Sequence, residues 1–509
     1  MTPAKLGTRT YGAKHLLAGP TMAALLALMV GSCADTKKEE IGGEEITDEA
    51  ITVAVASHLD QSDLIAAHLV DVAVNDGVVA LTGAVDNLLA RDQAVRIARS
   101  YRGVRSVVDK LDVEAVPRND REISYDVLLA LGRDPVAENY EVEVNVENGR
   151  VILDGTVDSW AESLLVENII KKVRGVKGID NRLTIDTQVV RTSPEIKAEI
   201  EKRLKLDPHV PHETIQVDVK GTTAILSGVV RNLNEKTHAV RDARVRGIAE
   251  VEDDSLVVSP RGDQGLQRGQ KVMLKSDEDI AAAVRDALAY DPRTMDEDIE
   301  VDVDDWEVRL SGTVDNLAAL RAARRHAANT VGVLNVVNRL KVRPGEVPSD
   351  RELETAIREG LAADPITERH EIEPVVRNAA VFLYGTVDSY YERAHAEAVV
   401  AGVKGVVIVH NQLEVAGNRA SRSDKAIEND IRASLRWNAL LEAEDIDVEV
   451  EDGLATLTGD VGSWFQLTVA VDQAFDGGAR TVRSRLHVAG RYEANTTFSY
   501  WDYPLVPNL

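Results

Sequence analysis

The heptapeptide LDGTVDS (153–159) decides the fold of this chain, because it recurs. The pattern L-x-G-x-V-x-N/S appears as LTGAVDN (81–87), LDGTVDS (153–159), LSGVVRN (226–232), LSGTVDN (310–316), LYGTVDS (383–389) and LTGDVGS (457–463). Its glycines, Gly83, Gly155, Gly228, Gly312, Gly385 and Gly459, are spaced by 72, 73, 84, 73 and 74 residues. A second glycine follows each by 19 or 20 residues, at 103, 175, 247, 332, 405 and 478, and opens a second pattern such as GVKGIDNRL (175–183) or GVLNVVNRL (332–340). Self-similarity at a fixed period is the mark of a repeat architecture. The length of 509 residues alone suggests three to five domains; the repeats raise that to six.

Around the two glycines every unit reads alike. DEDIAAAVRDALAYDP (277–292) places Ile280, Val284, Ala287 and Leu288 on one face of an amphipathic helix. Proline after aspartate stops that helix at Pro135, Pro208, Pro292 and Pro365, since the residue before proline avoids helical geometry. DIEVDVDD (298–305) alternates apolar and acidic residues with the period of a half-buried strand. Turns such as Asn75-Asp76-Gly77, Glu147-Asn148-Gly149 and Glu451-Asp452-Gly453 predict a hairpin into a second strand. Asn87, Ser159, Asn232, Asn316, Ser389 and Ser463 are placed to cap a second helix. The second glycine is expected to end that helix, and a third strand closes the unit. The six motif glycines are read as conformational, giving positive φ or close backbone approach. The fold class is therefore α+β: a tandem array of six small αββαβ units, each with its helices on one face of a three-stranded sheet.

These motifs and this order resemble the BON domain (bacterial OsmY and nodulation domain). The resemblance runs from about residue 46 to 490, six times over, with units at 46–116, 118–190, 192–260, 276–344, 349–418 and 422–490. Units one and six depart from it in lacking the Asp-Pro stop, as end units of an array often do. The long spacing of 84 marks an insertion, assigned to a linker at 261–275 that divides the chain into three units, a hinge and three units.

The N-terminus reads as an address. Residues 1–15 carry Lys5, Arg9 and Lys14 with no acid, and an apolar run from Leu16 to Val30 follows. The run ends at Gly31-Ser32-Cys33, which resembles a lipoprotein lipobox, so residues 1–33 are expected to be a signal peptide with Cys33, the single cysteine, as the acylation site. Residues 34–45 form a polar tether. Ala34 after the cysteine implies, by resemblance to enteric lipoproteins, an outer-membrane anchor facing the periplasm.

The formal charge is −26, and loss of the three basic residues of 1–33 would take it to −29; a general nucleic-acid binder is disfavoured. No catalytic motif survives inspection, so no enzyme, cofactor, metal or small-molecule substrate is expected. Asp207, His209, His212 and Glu213 offer zinc-type donors, but DPHVPHE reads as a solvated loop. Arginines on the second helices are the candidate phospholipid contacts: Arg96, Arg99 and Arg102 in unit one, Arg241, Arg244 and Arg246 in unit three, Arg321, Arg324 and Arg325 in unit four. Membrane attachment is what the resemblance implies for BON domains. The expected role is a non-enzymatic envelope scaffold on anionic phospholipid membranes that supports envelope integrity under stress. The alternative is docking of an envelope protein through acidic strand faces or the aromatic tail, 491–509. Trp160, Tyr390, Tyr391, Trp464 and Phe465, at the starts of second helices, are expected to be core or staple residues.

Overall fold

The computed structural model describes residues 40–41, 44–65, 69–186, 191–207, 209–259, 276–345, 348–416, 422–441, 446–488 and 492–499. The signal segment with Cys33, the linker 261–275 and residues 500–509 lie outside the described residues.

Each unit follows the order helix, strand, strand, helix, strand. In unit two these are Asp120–Arg133, Val142–Glu147, Arg150–Val157, Trp160–Ile170 and Gly178–Asn181. The second strand is central, antiparallel to the first and parallel to the third. That arrangement follows from the chain: a tight turn joins strands one and two, and a helical crossover joins two and three. Turn residues Asp76 and Gly77, Asn148 and Gly149, and Asp452 and Gly453 all take positive φ, the geometry a two-residue hairpin requires. Units four and five reach it without glycine, through Asp305-Trp306 and Asn378-Ala379.

The motif glycine sits in the central strand, or in unit five at the break between Ala380–Tyr384 and Thr386–Val387, at φ between 110° and 137° in all six units. A Cβ on Gly155 would stand 2.6 Å from the carbonyl oxygen of Glu141, and one on Gly228 would stand 2.0 Å from that of Thr214. The closing Asn or Ser caps the second helix in every unit, as Asn316 does by accepting from the Ala319 N–H at 2.8 Å. The second glycine lies beyond the helix end, in the turn to the third strand: the helix of unit one stops at Arg99, and Gly103 follows at φ 80°. In units two, four and five the third strand is broken where Asn181, Asn338 and Asn411 accept from the N–H two residues on.

Every unit builds its own core. In unit two Ile123, Val127 and Leu131 of the first helix meet Val151 and Leu153 of the central strand and Val166 and Ile170 of the second helix. The tail supplies a fourth strand in unit six, Tyr492–Ser499, paired antiparallel to Thr481–Val488.

The chain doubles back, so that unit one meets six, two meets five and three meets four. Ala439 N–H donates to the Ser100 carbonyl at 2.8 Å and Arg102 N–H to that of Trp437 at 3.0 Å. Units two and five make a reciprocal pair of main-chain bonds, Arg174 N–H to Ala363 O (2.7 Å) and Lys404 N–H to Arg133 O (3.1 Å). Ion pairs Arg133–Glu359 and Arg174–Glu368 flank them. Between units three and four Lys202 pairs with Asp286, and the Arg203 guanidinium lies 4.4 Å from the Tyr290 ring.

Of the aromatics at the starts of second helices, Trp464 and Phe465 lie in the core of unit six, as expected, and several also serve inter-unit contacts. Trp160 Nε1 donates to the Ile248 carbonyl of unit three at 2.7 Å. Tyr390 and Tyr391 of unit five pack on the core of unit six. Phe465 of unit six meets the ring of His209 of unit three. Sequence patterning within one unit does not reveal this, because an apolar residue looks the same whichever core it enters.

Candidate functional site

The aspartate of the Asp-Pro stop does more than mark a helix end. Asp134, Asp207 and Asp364 use Oδ1 to accept the N–H groups of the loop that follows, and Asp291 does the same toward Arg293. Their second oxygen reaches a histidine on another element: Asp207 accepts from His238 (3.0 Å), Asp291 from His326 (2.7 Å) and Asp364 from His395 (2.7 Å). In unit two the partner comes from unit four, where Arg293 donates to Asp134 at 2.9 Å. Burial opposes the charge on Asp291, yet the His326 ring holds its carboxyl well below the usual carboxylate range.

These four aspartates share the wall of one cavity of about 950 Å³, enclosed by the helices of units two to five. Cations crowd the same wall. Arg241 donates to Asp207 at 2.7 Å, and Arg321 of unit four pairs with Glu397 of unit five. Arg325 lies 4.0 Å from Asp291, which His326 already engages. Burial lowers the affinity of the Arg325 and Arg244 guanidinium groups for their protons. Lys172 makes no side-chain hydrogen bond or ion pair among the described residues. Burial holds its ammonium below the ordinary lysine value, with the repulsion of Arg293 adding to the effect.

The arginines read from sequence therefore divide. Arg241, Arg244, Arg321, Arg324 and Arg325 line this cavity. Arg102 donates to the carbonyls of Asn438 and Leu441, locking unit one to unit six. Arg99 is half-buried, and Arg96 and Arg246 are exposed. Arg102, Arg244 and Arg246 lie beyond the ends of the second helices, Leu88–Arg99 and Leu233–Ala243, on which the sequence pattern places them, and helical periodicity carries no information on what the other faces meet.

The DPHVPHE segment also differs from its expectation as a solvated loop: Asp207 and His209 are buried. The donor atoms of Asp207, His209 and His238 lie within 4.8 Å of one another, while His212 pairs with Glu213 at 3.4 Å. Arg241 occupies Asp207 Oδ2, so the group forms an ion-pair network around one carboxylate. Beside it, burial and the Asp207 charge push Asp242 up to about 7. The outward strand faces remain acidic and exposed, as at Glu141, Glu143, Glu300, Asp302, Asp304, Asp447 and Glu449.

Sequence reasoning missed a further recurring residue. The first aspartate of the first helix accepts both turn N–H groups of its own hairpin: Asp48 from Asp76 and Gly77, Asp120 from Asn148 and Gly149, Asp277 from Asp305 and Trp306, Asp350 from Asn378 and Ala379, Asp424 from Asp452 and Gly453. Its signal was a fixed offset of 28 residues from the turn.

Comparison with known proteins agrees with this architecture. A family model for the BON domain matches residues 47–115, 119–187, 192–260, 276–344, 349–417 and 423–490. The chain is 32% identical to osmotically-inducible protein Y of Escherichia coli (strain K12) over 160 residues, 30% of this chain and 79% of that protein. It is 29% identical to the 21 kDa hemolysin of Actinobacillus pleuropneumoniae over 114 residues, 21% of this chain and 59% of the hemolysin. Among solved structures, the C-terminal domain of CdsD, a structural protein of the Type III secretion system of Chlamydia trachomatis, matches at 14% identity and a TM-score of 0.12, covering 42% of this chain and all of that one.

Proposed function

The chain belongs to the BON domain family, and from that premise we propose that it is a non-enzymatic scaffold of the bacterial envelope that engages anionic phospholipid surfaces and supports the envelope under stress. In this reading Cys33 carries the lipid anchor, and the anchored chain works at the periplasmic side of the outer membrane. The similarity to an osmotically inducible protein supports the link to stress. No helix among the described residues is long and apolar enough to cross a membrane, so contact in this reading rests on the anchor and on the surface of the array.

One observation carries the lipid reading: in units one and four the second helix is basic, and in unit three arginines continue past its end, while exposed strand faces carry carboxylates as at Glu300, Asp302 and Asp447. Of these arginines Arg96, on the helix of unit one, and Arg246, just beyond that of unit three, stand exposed. Screening beyond about 8 Å at physiological salt lets such a local cationic face engage phosphate despite the net negative charge. Tethering by the anchor raises effective concentration, so each contact need only be weak.

Co-sedimentation of the chain with phosphatidylglycerol and phosphatidylcholine vesicles across a salt series tests this. The expected result is binding to the anionic vesicles alone, weakened by salt and reduced severalfold by Arg96→Ser with Arg246→Ser. Absence of binding at low salt would remove the lipid reading. The exposed acidic strand faces would then favour the second reading, a docking surface for an envelope protein.

A further inference from the structure

The cavity among units two to five is lined by more cationic than anionic side chains. Its aspartates are already engaged: Asp134 by two loop N–H groups and Arg293, Asp291 by Arg293 N–H and His326, Asp364 by two loop N–H groups and His395. Lys172 has no side-chain partner among the described residues, Arg293 pairs with Asp134 through Nη2 but keeps a buried Nη1 without a hydrogen bond, and Arg325 pairs with Asp291 only at 4.0 Å. A half-buried ammonium without a partner and a buried guanidinium N–H without an acceptor are both costly, and an anion of matching geometry relieves that cost.

The remaining wall is apolar. Tyr125, Leu164 and Tyr290 line the cavity and are more than a third exposed, with Leu129, Leu165 and Ile169 beside them. Large apolar side chains held open along a cavity, next to an unpartnered lysine and an incompletely paired arginine, match a ligand with an anionic head and a hydrocarbon body. A volume of about 950 Å³ lies within the roughly 300–1,000 Å³ of ordinary ligand sites, which suits one acyl chain better than two.

We propose that this cavity takes up one single-chain phospholipid, with Lys172, Arg293 and Arg325 receiving its phosphate and Tyr125, Leu164 and Tyr290 covering its chain. The cavity deepens the phospholipid reading above in its ligand class alone; it needs no contact with a membrane surface. An array of this kind would withdraw a loose lysophospholipid from the envelope, a substrate that surface adhesion does not distinguish from the bilayer.

Titration calorimetry of the full chain with lysophosphatidylglycerol below its critical micelle concentration tests the proposal. Binding of one molecule per chain is expected, weakened about tenfold by Lys172→Met, the loss due to one charge-assisted contact. Leu164→Asp, at an exposed wall position, should weaken it comparably, and circular dichroism should show both variants folded. No binding by the parent chain, or equal binding by both folded variants, would overturn the proposal. So would inorganic phosphate binding as tightly as the lysolipid, which would mark an anion site without a chain site. Vesicle co-sedimentation separates the two readings: Lys172→Met should leave it intact, and its failure with lysolipid binding retained would sink the surface reading alone.

Discussion

Asp350 shows how one side chain joins two elements that the local pattern treats separately. It lies in the first turn of its helix, where an acid is ordinary, and it also accepts from the Asn378 and Ala379 amides at 2.9 and 3.0 Å. Those two backbone donors hold its carboxyl below the usual carboxylate range. The sign follows: a folded pKa below the unfolded value of about 3.9 gives a contribution present in full above that pH and lost as pH falls through the folded value. Asp350→Asn should therefore lower the urea midpoint at pH 7, and the gap from the parent chain should close on acidification toward pH ~2. An unchanged gap across that range would show that the charge on Asp350 is not what matters. The fixed offset was present in five of the six units, but a first-turn acid already had a sufficient local explanation, the helix dipole. The Asp-Pro aspartates were hidden in the same way, because the proline accounted for the helix end.

At the scale of elements, alternation, caps and turns were legible because each is decided within a few residues of chain. Glycine at the turn was the least reliable sign: Trp306 and Ala379 take the same positive φ, held there by the Asp277 and Asp350 bonds to the turn. In the tail, which the sequence offered as a docking segment, residues 492–499 form the fourth strand of unit six. Removing residues 491–509 leaves the edge of Thr481–Val488 unpaired, an invitation to strand pairing between chains. The truncated chain should self-associate with rising concentration in static light scattering while the full chain does not. A truncated chain that stays monomeric would show that the strand is dispensable as an edge cover and would return the tail to a binding role.

At the scale of the molecule the decisive contacts run between units far apart in sequence. Arg174 N–H reaches Ala363, and its guanidinium pairs with Glu368, 194 residues away. Both side chains are at least two-thirds covered, so the pair is worth about 1 kcal/mol in a double-mutant cycle. Chains 46–260 and 276–499 should accordingly associate when mixed. Arg174→Glu in the first should weaken that association, and Glu368→Arg in the second should restore part of it. If the halves do not meet, or the second change fails to compensate the first, the pairing of units two and five is not what joins the halves.

The sequence by itself determined the units: six repeats, the order within each, the caps, the central glycines and the family. These follow from periodicity and short-range sterics, which act over neighbours in the chain. Only the tertiary structure decided which faces meet. A polar helix face has the same pattern whether it faces water, as Arg96 does, or a shared cavity, as Arg325 does. Burial, and with it the value of a charge, depends on what lies opposite, and here that is supplied by units one to three hundred residues away.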